Sequence, residues 1–151
     1  MCARLYWSLR TGEVEKHVRR IVWRYGDSSK PWRTFAFCVV SFGDKPAAAI
    51  LETAIRKTAE MFSDIDPAAA SRILHDRYVD DIASGGDAPQ VNRLAGKGNE
   101  RGTMSEILSK GSFNLKVIVT SGESNTEKIR KLGGSVLGVG WDASSDTIFI
   151  S

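Results

Sequence analysis

Two adjacent carboxylates interrupt an apolar stretch of this chain in the segment Tyr78-Val79-Asp80-Asp81. Ile73 and Leu74 precede the segment, and Ile82 follows it ahead of two glycines. An apolar run that stops at two acids and then resumes predicts a tight β-hairpin with the aspartates at its tip. Because like charges a few ångströms apart repel, such a pair is usually held for a cation, and clustered oxygen ligands suit Mg²⁺. A solvated acidic turn has the same pattern.

The bulk composition is that of one ordinary globular domain. The chain has 151 residues, of which 42% are hydrophobic and 26% charged. Cys2 and Cys38 are too few for a disulfide framework and lack metal-type spacing, and His17 and His75 have no ligand-like neighbours. No apolar run is long enough to span a bilayer, and the first residues do not have the layout of a signal peptide. We therefore expect an intracellular protein, cytoplasmic or nuclear, that is not secreted and has no membrane partner.

Charge is distributed unevenly along the chain. Residues 1–33 contain eight Lys or Arg and three Asp or Glu, which gives a net charge of +5. Residues 34–92, which include the aspartate pair, carry −4, and residues 93–151 carry +2. An acidic centre between basic flanks would suit a polyanion lying over a metal site, although solvated surface charge explains the same counts.

Local patterns predict an α+β fold, with an antiparallel sheet covered by helices on one face. A β-hairpin is expected over about 19–40, and a helix should start near Pro46 with its buried stripe at helical spacing. That stripe consists of Leu51, Ile55, Thr58 and Phe62. Asp66 should cap a short helix over 67–75 because a proline follows it at the first helical position.

The second half of the chain predicts further elements of both kinds. Asp87 and Pro89 open another helical stretch, and Gly111 stands where a left-handed helix stop is expected. The remaining elements are a strand over 113–120, a basic helix over 124–132 and a closing hairpin over about 135–150.

Taken in order, these motifs resemble the palm of a reverse transcriptase over nearly the whole chain. Residues 41–47 and 78–82 carry most of the resemblance, and their combination is similar to BEL/Pao-type LTR retrotransposons. The matching positions are Phe42, Gly43 and Pro46 before a helix, Tyr78-Val79-Asp80-Asp81, Gly111 with Phe113, Leu115 and Lys116, and Leu137 with Gly138. The domain implied is a partial reverse transcriptase domain over 1–151, with a fingers hairpin at about 19–40 and a primer-grip-like hairpin at about 135–150.

The resemblance implies a role for each matching residue. Asp80 and Asp81 would be the catalytic residues and would bind Mg²⁺ or Mn²⁺, weakly, for template-directed nucleotidyl transfer by two metal ions. Nucleotide-binding residues would be Tyr6, Phe42, Gly43 and Lys116, and primer and template contacts would come from Tyr78, Leu137, Gly138 and Trp141. A core aromatic at Phe42, an exposed strand lysine at Lys116 and simple hairpin packing at Trp141 are the alternatives.

One position departs from the family pattern. In similar enzymes the first metal-binding aspartate lies five positions before the aromatic residue that Tyr6 matches, and here that position is Met1. We therefore expect an N-terminally truncated fragment that is inactive as this chain. An active polymerase completed by another chain, and a captured domain that binds nucleic acid or protein without catalysis, remain open. The implied partners are an RNA or DNA template-primer, a dNTP and the rest of a retrotransposon polyprotein.

Overall fold

A computed structural model describes residues 2–3, 9–41, 43–79, 81–96, 100–122, 135–136 and 139–149. The helices in these ranges are a short 3₁₀ helix at Glu15–His17, α1 at Ala47–Met61, α2 at Pro67–His75, α3 at Ala88–Ala95 and α4 at Thr103–Lys110. The strands are β1 at Cys2–Ala3, β2 at Arg20–Trp23, β3 at Arg33–Ala36, β4 at Arg77–Tyr78, β5 at Asp81–Ile82, β6 at Asn114–Leu115, β7 at Ser135–Val136, β8 at Val139–Asp142 and β9 at Thr147–Phe149. The α+β class is confirmed.

Helix α1 follows the predicted apolar stripe. Leu51, Ile55 and Thr58 are buried, as their spacing of three and four residues requires for one face of a helix. Phe62 lies just beyond the last residue of the helix and is half-buried against the core. The sequence thus identified the buried side of the longest helix.

The two predicted proline-proximal helix starts are also confirmed. Asp66 caps α2, and its carboxylate accepts hydrogen bonds from the backbone N–H groups of Ala68 and Ala69 at 3.0 and 3.2 Å. Asp87 caps α3 and accepts from the N–H of Gln90 at 3.0 Å. Both caps satisfy N–H groups that the first helical turn leaves without partners.

The helical stretch expected after Asp87 is divided into α3 and α4. Gly96, at a φ of 89°, ends α3 in a backbone conformation that side-chain-bearing residues rarely adopt. Gly102 is buried against the backbone of Leu94 and Gly96 so closely that a Cβ would overlap it. Both glycines therefore allow the chain to turn sharply between α3 and α4.

The left-handed residue after α4 is Ser112, at a φ of 63°, and the prediction of Gly111 for this role was wrong. Gly111 itself has an ordinary φ of −89°. The N–H of Phe113 bonds to the carbonyl of Leu108 at 3.0 Å, and the N–H of Ser112 bonds to that of Ser109 at 3.0 Å. This pair of bonds is a Schellman motif, displaced by one residue from the expected position.

The core lies among the helices. Helices α1, α2 and α4 contact one another, and α3 contacts α4. Phe113, which follows the end of α4, is the largest of the fully buried side chains among the described residues. The buried cluster consists of Leu51, Ile55, Ala59, Ala69, Ala70, Ile73, Leu94, Met104, Ile107, Leu108 and Phe113. Burial of these side chains between helices is the main source of stability of the described part of the fold.

The strands form four small antiparallel sheets within the described ranges, whereas the sequence predicted one sheet. Three are pairs (β1–β6, β2–β3 and β4–β5), and the fourth contains β7, β8 and β9 in that order. The hairpins predicted over about 19–40 and about 135–150 are both formed, by β2 with β3 and by β8 with β9. Strands of two to four residues offer too little surface to collect into one layer, so the helices supply the core.

Two predicted elements, a strand and a helix, are described by the structure only in part or not at all. The strand expected over 113–120 contains only Asn114–Leu115, and the basic helix over 124–132 lies outside the described residues.

In the part of the chain that the structure describes, no helix combines the length and apolar character required to cross a bilayer.

Candidate functional site

The predicted hairpin is present, but Asp81 lies in β5 and not at the tip, and Asp80 lies outside the described residues. Strand β4 pairs antiparallel with β5, with Arg77 opposite Ile82 and Tyr78 opposite Asp81. Only Val79 and Asp80 connect the two strands, so the turn is as tight as the sequence predicted. Directly opposed residues share a face of an antiparallel pair, which places the half-buried Asp81 beside Tyr78, whose surface is 67% exposed.

The turn carries backbone strain at Val79. This residue has a φ of 53°, in the left-handed region, where the branched Cβ of valine is strongly disfavoured. Strain of this kind costs about 1–3 kcal/mol and persists only where surrounding contacts hold it. The contacts that hold this hairpin come from the residue just before Tyr78.

Arg77 anchors the hairpin to α1. Its side chain is 4% exposed and forms an ion pair with Glu52, which lies 25 positions earlier in the chain. Its Nη1 also donates a hydrogen bond to the carbonyl of Val79 at 2.9 Å. A single buried cation therefore ties the turn to a helix.

The Arg77 contact also acts on Glu52. A hydrogen bond from Arg77 lowers the pKa of Glu52, and this effect outweighs the opposing effect of partial burial. A second cation, Arg56, lies one helical turn further along α1 and bonds to the other carboxylate oxygen at 3.1 Å. Glu52 is therefore held in its charged form, which keeps Arg77 paired at neutral pH.

At the base of the hairpin, Asp76 closes the loop that leads out of α2. Its carboxylate accepts from Arg72 at 3.0 Å and from the hydroxyl of Ser84 at 2.5 Å. Its carbonyl accepts from the N–H of Ala83 at 3.0 Å. These bonds span both ends of the hairpin, so its position relative to α2 is defined.

A shallow cleft of about 290 Å³ separates the hairpin turn from the first turns of α1. Gly43 lies in the loop that leads into this end of α1, exposed and at a φ of 85°. Asp44 organises the loop, because its carboxylate accepts from the N–H of Ser41 at 2.8 Å and pairs with Arg19. The cleft is lined by Ala48, Ala49, Leu51, Glu52, Arg77 and Val79. The cleft therefore lies between α1, which follows segment 41–47 in the chain, and the turn of segment 78–82.

Lys116 and Trp141 belong to other parts of the fold. Lys116 is exposed and directly follows β6. Trp141 is half-buried in β8, and its indole Nε1 donates to Asp146 at 3.2 Å across the turn of its own hairpin. This contact favours the packing interpretation of Trp141.

The other predicted site residues lie outside the described residues. They are Tyr6, Phe42, Asp80, Leu137 and Gly138. Within the described ranges, no three His, Cys, Asp or Glu side chains come together as a group that could hold a metal ion.

Sequence reasoning missed Arg77 and Glu52. Neither lies in a recognisable motif, and no local pattern links two residues so far apart along the chain. The only signal was the position of Arg77, immediately before the hairpin whose turn it holds.

No family model, curated protein or solved structure matches this chain.

Proposed function

We propose that this chain is a palm-type reverse transcriptase domain of the BEL/Pao class, built for template-directed nucleotidyl transfer and inactive as this chain. The observation that supports the proposal is the tight Tyr78–Asp81 hairpin, anchored by Arg77 next to the start of α1. The order of Gly43, α1, α2 and the hairpin agrees with the order of motifs on which the resemblance rests. The proposal makes the hairpin the metal-binding end of the domain.

In this proposal Asp80 and Asp81 bind Mg²⁺ or Mn²⁺, which would activate the attacking 3′-oxygen of a primer and stabilise the leaving pyrophosphate. Tyr78, exposed on the same face as Asp81, would contact the primer end. Arg77 is a positioning residue, because it holds the strained turn through the carbonyl of Val79. Two-metal chemistry also needs a carboxylate opposite the hairpin, and the matching position is Met1, whose thioether is a poor ligand for magnesium.

Metal binding to the full chain is expected to be weak, with a dissociation constant no better than about millimolar, because Mg²⁺ prefers six oxygen ligands and two carboxylates supply too few. Calorimetric titration with Mn²⁺ measures this dissociation constant. Asp80→Asn and Asp81→Asn should each weaken the binding further, whereas Asp64→Asn, which removes an exposed carboxylate beyond the end of α1, should not. Equal binding by all four proteins would contradict the assignment of the metal site.

The chain should extend no primer on RNA or DNA templates at any Mg²⁺ or Mn²⁺ concentration, as measured by gel-based primer extension. Replacing Met1 with aspartate should improve Mn²⁺ affinity, because it supplies the opposing ligand. If the unmodified chain incorporates nucleotides and Asp80→Asn abolishes this, the inactive interpretation is wrong. Another acid, such as Asp44 or Glu13, would then complete the site.

A captured domain that binds nucleic acid or protein without catalysis is the second candidate. The net charge of +5 in residues 1–33 favours it. Salt-dependent nucleic-acid binding with no dependence on Asp80 or Asp81, together with the absence of metal binding at the hairpin, would support this candidate over the first.

A further inference from the structure

The buried guanidinium group of Arg77 has one N–H group without a hydrogen-bond partner. Its Nη1 donates to the carbonyl of Val79 at 2.9 Å, and its Nη2 donates to the Glu52 carboxylate. The Nε–H is buried as well, but it meets no hydrogen-bond acceptor in the part of the chain that the structure describes. A buried donor without an acceptor is costly and therefore requires an explanation.

The explanation lies in how Glu52 divides its two oxygens. The Nε–H and one Nη2–H of an arginine point in the same direction and form a fork that matches the two oxygens of one carboxylate. Glu52 fills only half of this fork, because its Oε2 accepts from Arg77 while its Oε1 accepts from Arg56 at 3.1 Å. The Nε–H of Arg77 therefore lacks a partner because Arg56 holds the oxygen that could reach it.

The two arginines compete for Glu52 on unequal terms. The side chain of Arg56 is 50% exposed, whereas that of Arg77 is 4% exposed. Dissolved salt screens an exposed ion pair strongly and a buried pair much less. The last side-chain torsion of glutamate is soft, so the carboxylate can turn without moving the helix. Loss or screening of Arg56 therefore allows Oε1 of Glu52 to turn toward the Nε–H of Arg77.

The pairing of Glu52 affects the hairpin turn through Arg77. The turn includes Val79 in a left-handed conformation, and the guanidinium of Arg77 holds the carbonyl of that residue. A carboxylate that meets both N–H groups of the fork fixes the plane of the guanidinium, whereas a single bond allows it to swing. The number of Glu52 oxygens on Arg77 therefore determines how firmly the strained turn is held.

We propose that Arg56, Glu52 and Arg77 form a salt-sensitive switch that sets how firmly the Tyr78–Asp81 hairpin is held. While Arg56 holds Oε1 of Glu52, the fork of Arg77 is half filled and the turn is loosely held. When salt screens Arg56, Oε1 moves to the Nε–H of Arg77, the fork is filled and the hairpin becomes more rigid. The switch requires no metal and no nucleotide, so it goes beyond nucleotidyl transfer and operates whichever function the chain has.

The test measures exchange of the Arg77 Nε–H with water by NMR, using the ¹⁵N-labelled full chain in EDTA. Arg56→Gln should slow this exchange about tenfold at low salt, the effect of one hydrogen bond to a charged group. The N–H of Ala83, which bonds to the carbonyl of Asp76 across the base of the hairpin, should also exchange more slowly. Raising NaCl from about 10 mM to about 1 M should slow both exchanges in the wild-type chain and leave Arg56→Gln unchanged.

Three control variants separate the switch from a general effect of charge. Lys57→Gln removes the neighbouring exposed cation of α1, and Arg56→Lys keeps a cation that can hold Oε1, so both should exchange within about twofold of wild type. Glu52→Gln has one side-chain oxygen and cannot fill the fork, so adding Arg56→Gln to it should change nothing.

The proposal fails if Arg56→Gln leaves exchange of the Arg77 Nε–H unchanged or accelerates it, as loss of an ordinary stabilising ion pair would. It also fails if Lys57→Gln slows exchange as much as Arg56→Gln does, or if the effect of Arg56→Gln persists in the Glu52→Gln chain. Because EDTA removes divalent metal, failure of the nucleotidyl-transfer proposal leaves each of these results unchanged.

Discussion

Replacing Asp66 with alanine is expected to lower the free energy of unfolding by about 3 kcal/mol. Asp66 is buried and caps α2 through Ala68 and Ala69. Its other carboxylate oxygen accepts from the hydroxyl of Thr103 at 2.9 Å and pairs with Arg93 at 3.1 Å. Alanine would remove the cap and leave a polar group of α4 without its partner. Chemical denaturation followed by circular dichroism measures the change.

Two further variants separate the contribution of the helix cap from that of the contacts with Thr103 and Arg93. Asp87→Ala removes the matching cap of α3, whose exposed carboxylate accepts from Gln90, and should cost only about 1 kcal/mol. Asp66→Asn keeps a capping oxygen but loses the charge that Arg93 meets, so its effect should lie between the two. If Asp66→Ala and Asp87→Ala destabilise the protein equally, the link between α2 and α4 contributes nothing.

The Asp66 contribution should also depend on pH. Burial by itself raises the pKa of Asp66, but hydrogen bonds from Thr103 and Ala69 and the charge of Arg93 outweigh it, so the pKa lies below the usual 3.8. A lowered pKa in the folded state gives stability that is present above the unfolded value and is lost as the pH falls through the folded value. The difference in the free energy of unfolding between wild type and Asp66→Asn should therefore become smaller below about pH 4.

Gly111→Ala is expected to destabilise the protein by about 2–3 kcal/mol through overpacking. The φ of −89° suits any residue, so the obstacle is space. A Cβ at this position would lie 2.8 Å from Cγ2 of Thr58 and 3.0 Å from the Phe113 ring, and it would overlap the Thr58 hydroxyl. Thr58 is buried on α1, so α4 would have to move away from that helix. Thermal unfolding of the variant measures this.

The control for Gly111→Ala is Gly85→Ala, where a Cβ would meet open space. That variant should change stability by less than about 0.5 kcal/mol. Combining Gly111→Ala with Thr58→Ala should cost less than the sum of the single changes, because the second removes atoms that the first overlaps. Strict additivity would mean that Gly111 acts through something other than its contact with α1.

Ser112→Gly tests the left-handed backbone position that follows α4. Serine at a φ of 63° bears a cost that glycine avoids, so the variant should stabilise the protein by about 1 kcal/mol. A loss of stability would show that the serine side chain contributes more than its backbone conformation costs. A loss of stability for Gly111→Ala and a gain for Ser112→Gly would show that position 111 requires space, whereas position 112 requires a left-handed backbone.

Much of the candidate site was predictable, because the Tyr78–Asp81 hairpin, α1 and α2 are formed by neighbours in the chain. The turn joins strands two residues apart, and the caps of α2 and α3 need only a carboxylate and N–H groups two or three positions later. The anchor of the hairpin was not predictable. Arg77 and Glu52 carry no local signal, and their pairing depends on how α1 packs beside the turn.

The sequence by itself determined the starts of α1, α2 and α3, the buried stripe of α1 and the positions of the hairpins, since each depends on hydrogen bonds and periodicity over a few residues. Only the tertiary structure decided that the described strands form four small sheets, that Gly111 is required for space, and that Asp66 links two helices. Those outcomes join residues such as Asp66 and Thr103, 37 positions apart. Contacts over such distances arise from the packing of whole helices against one another, and a local pattern of residue types does not encode that packing.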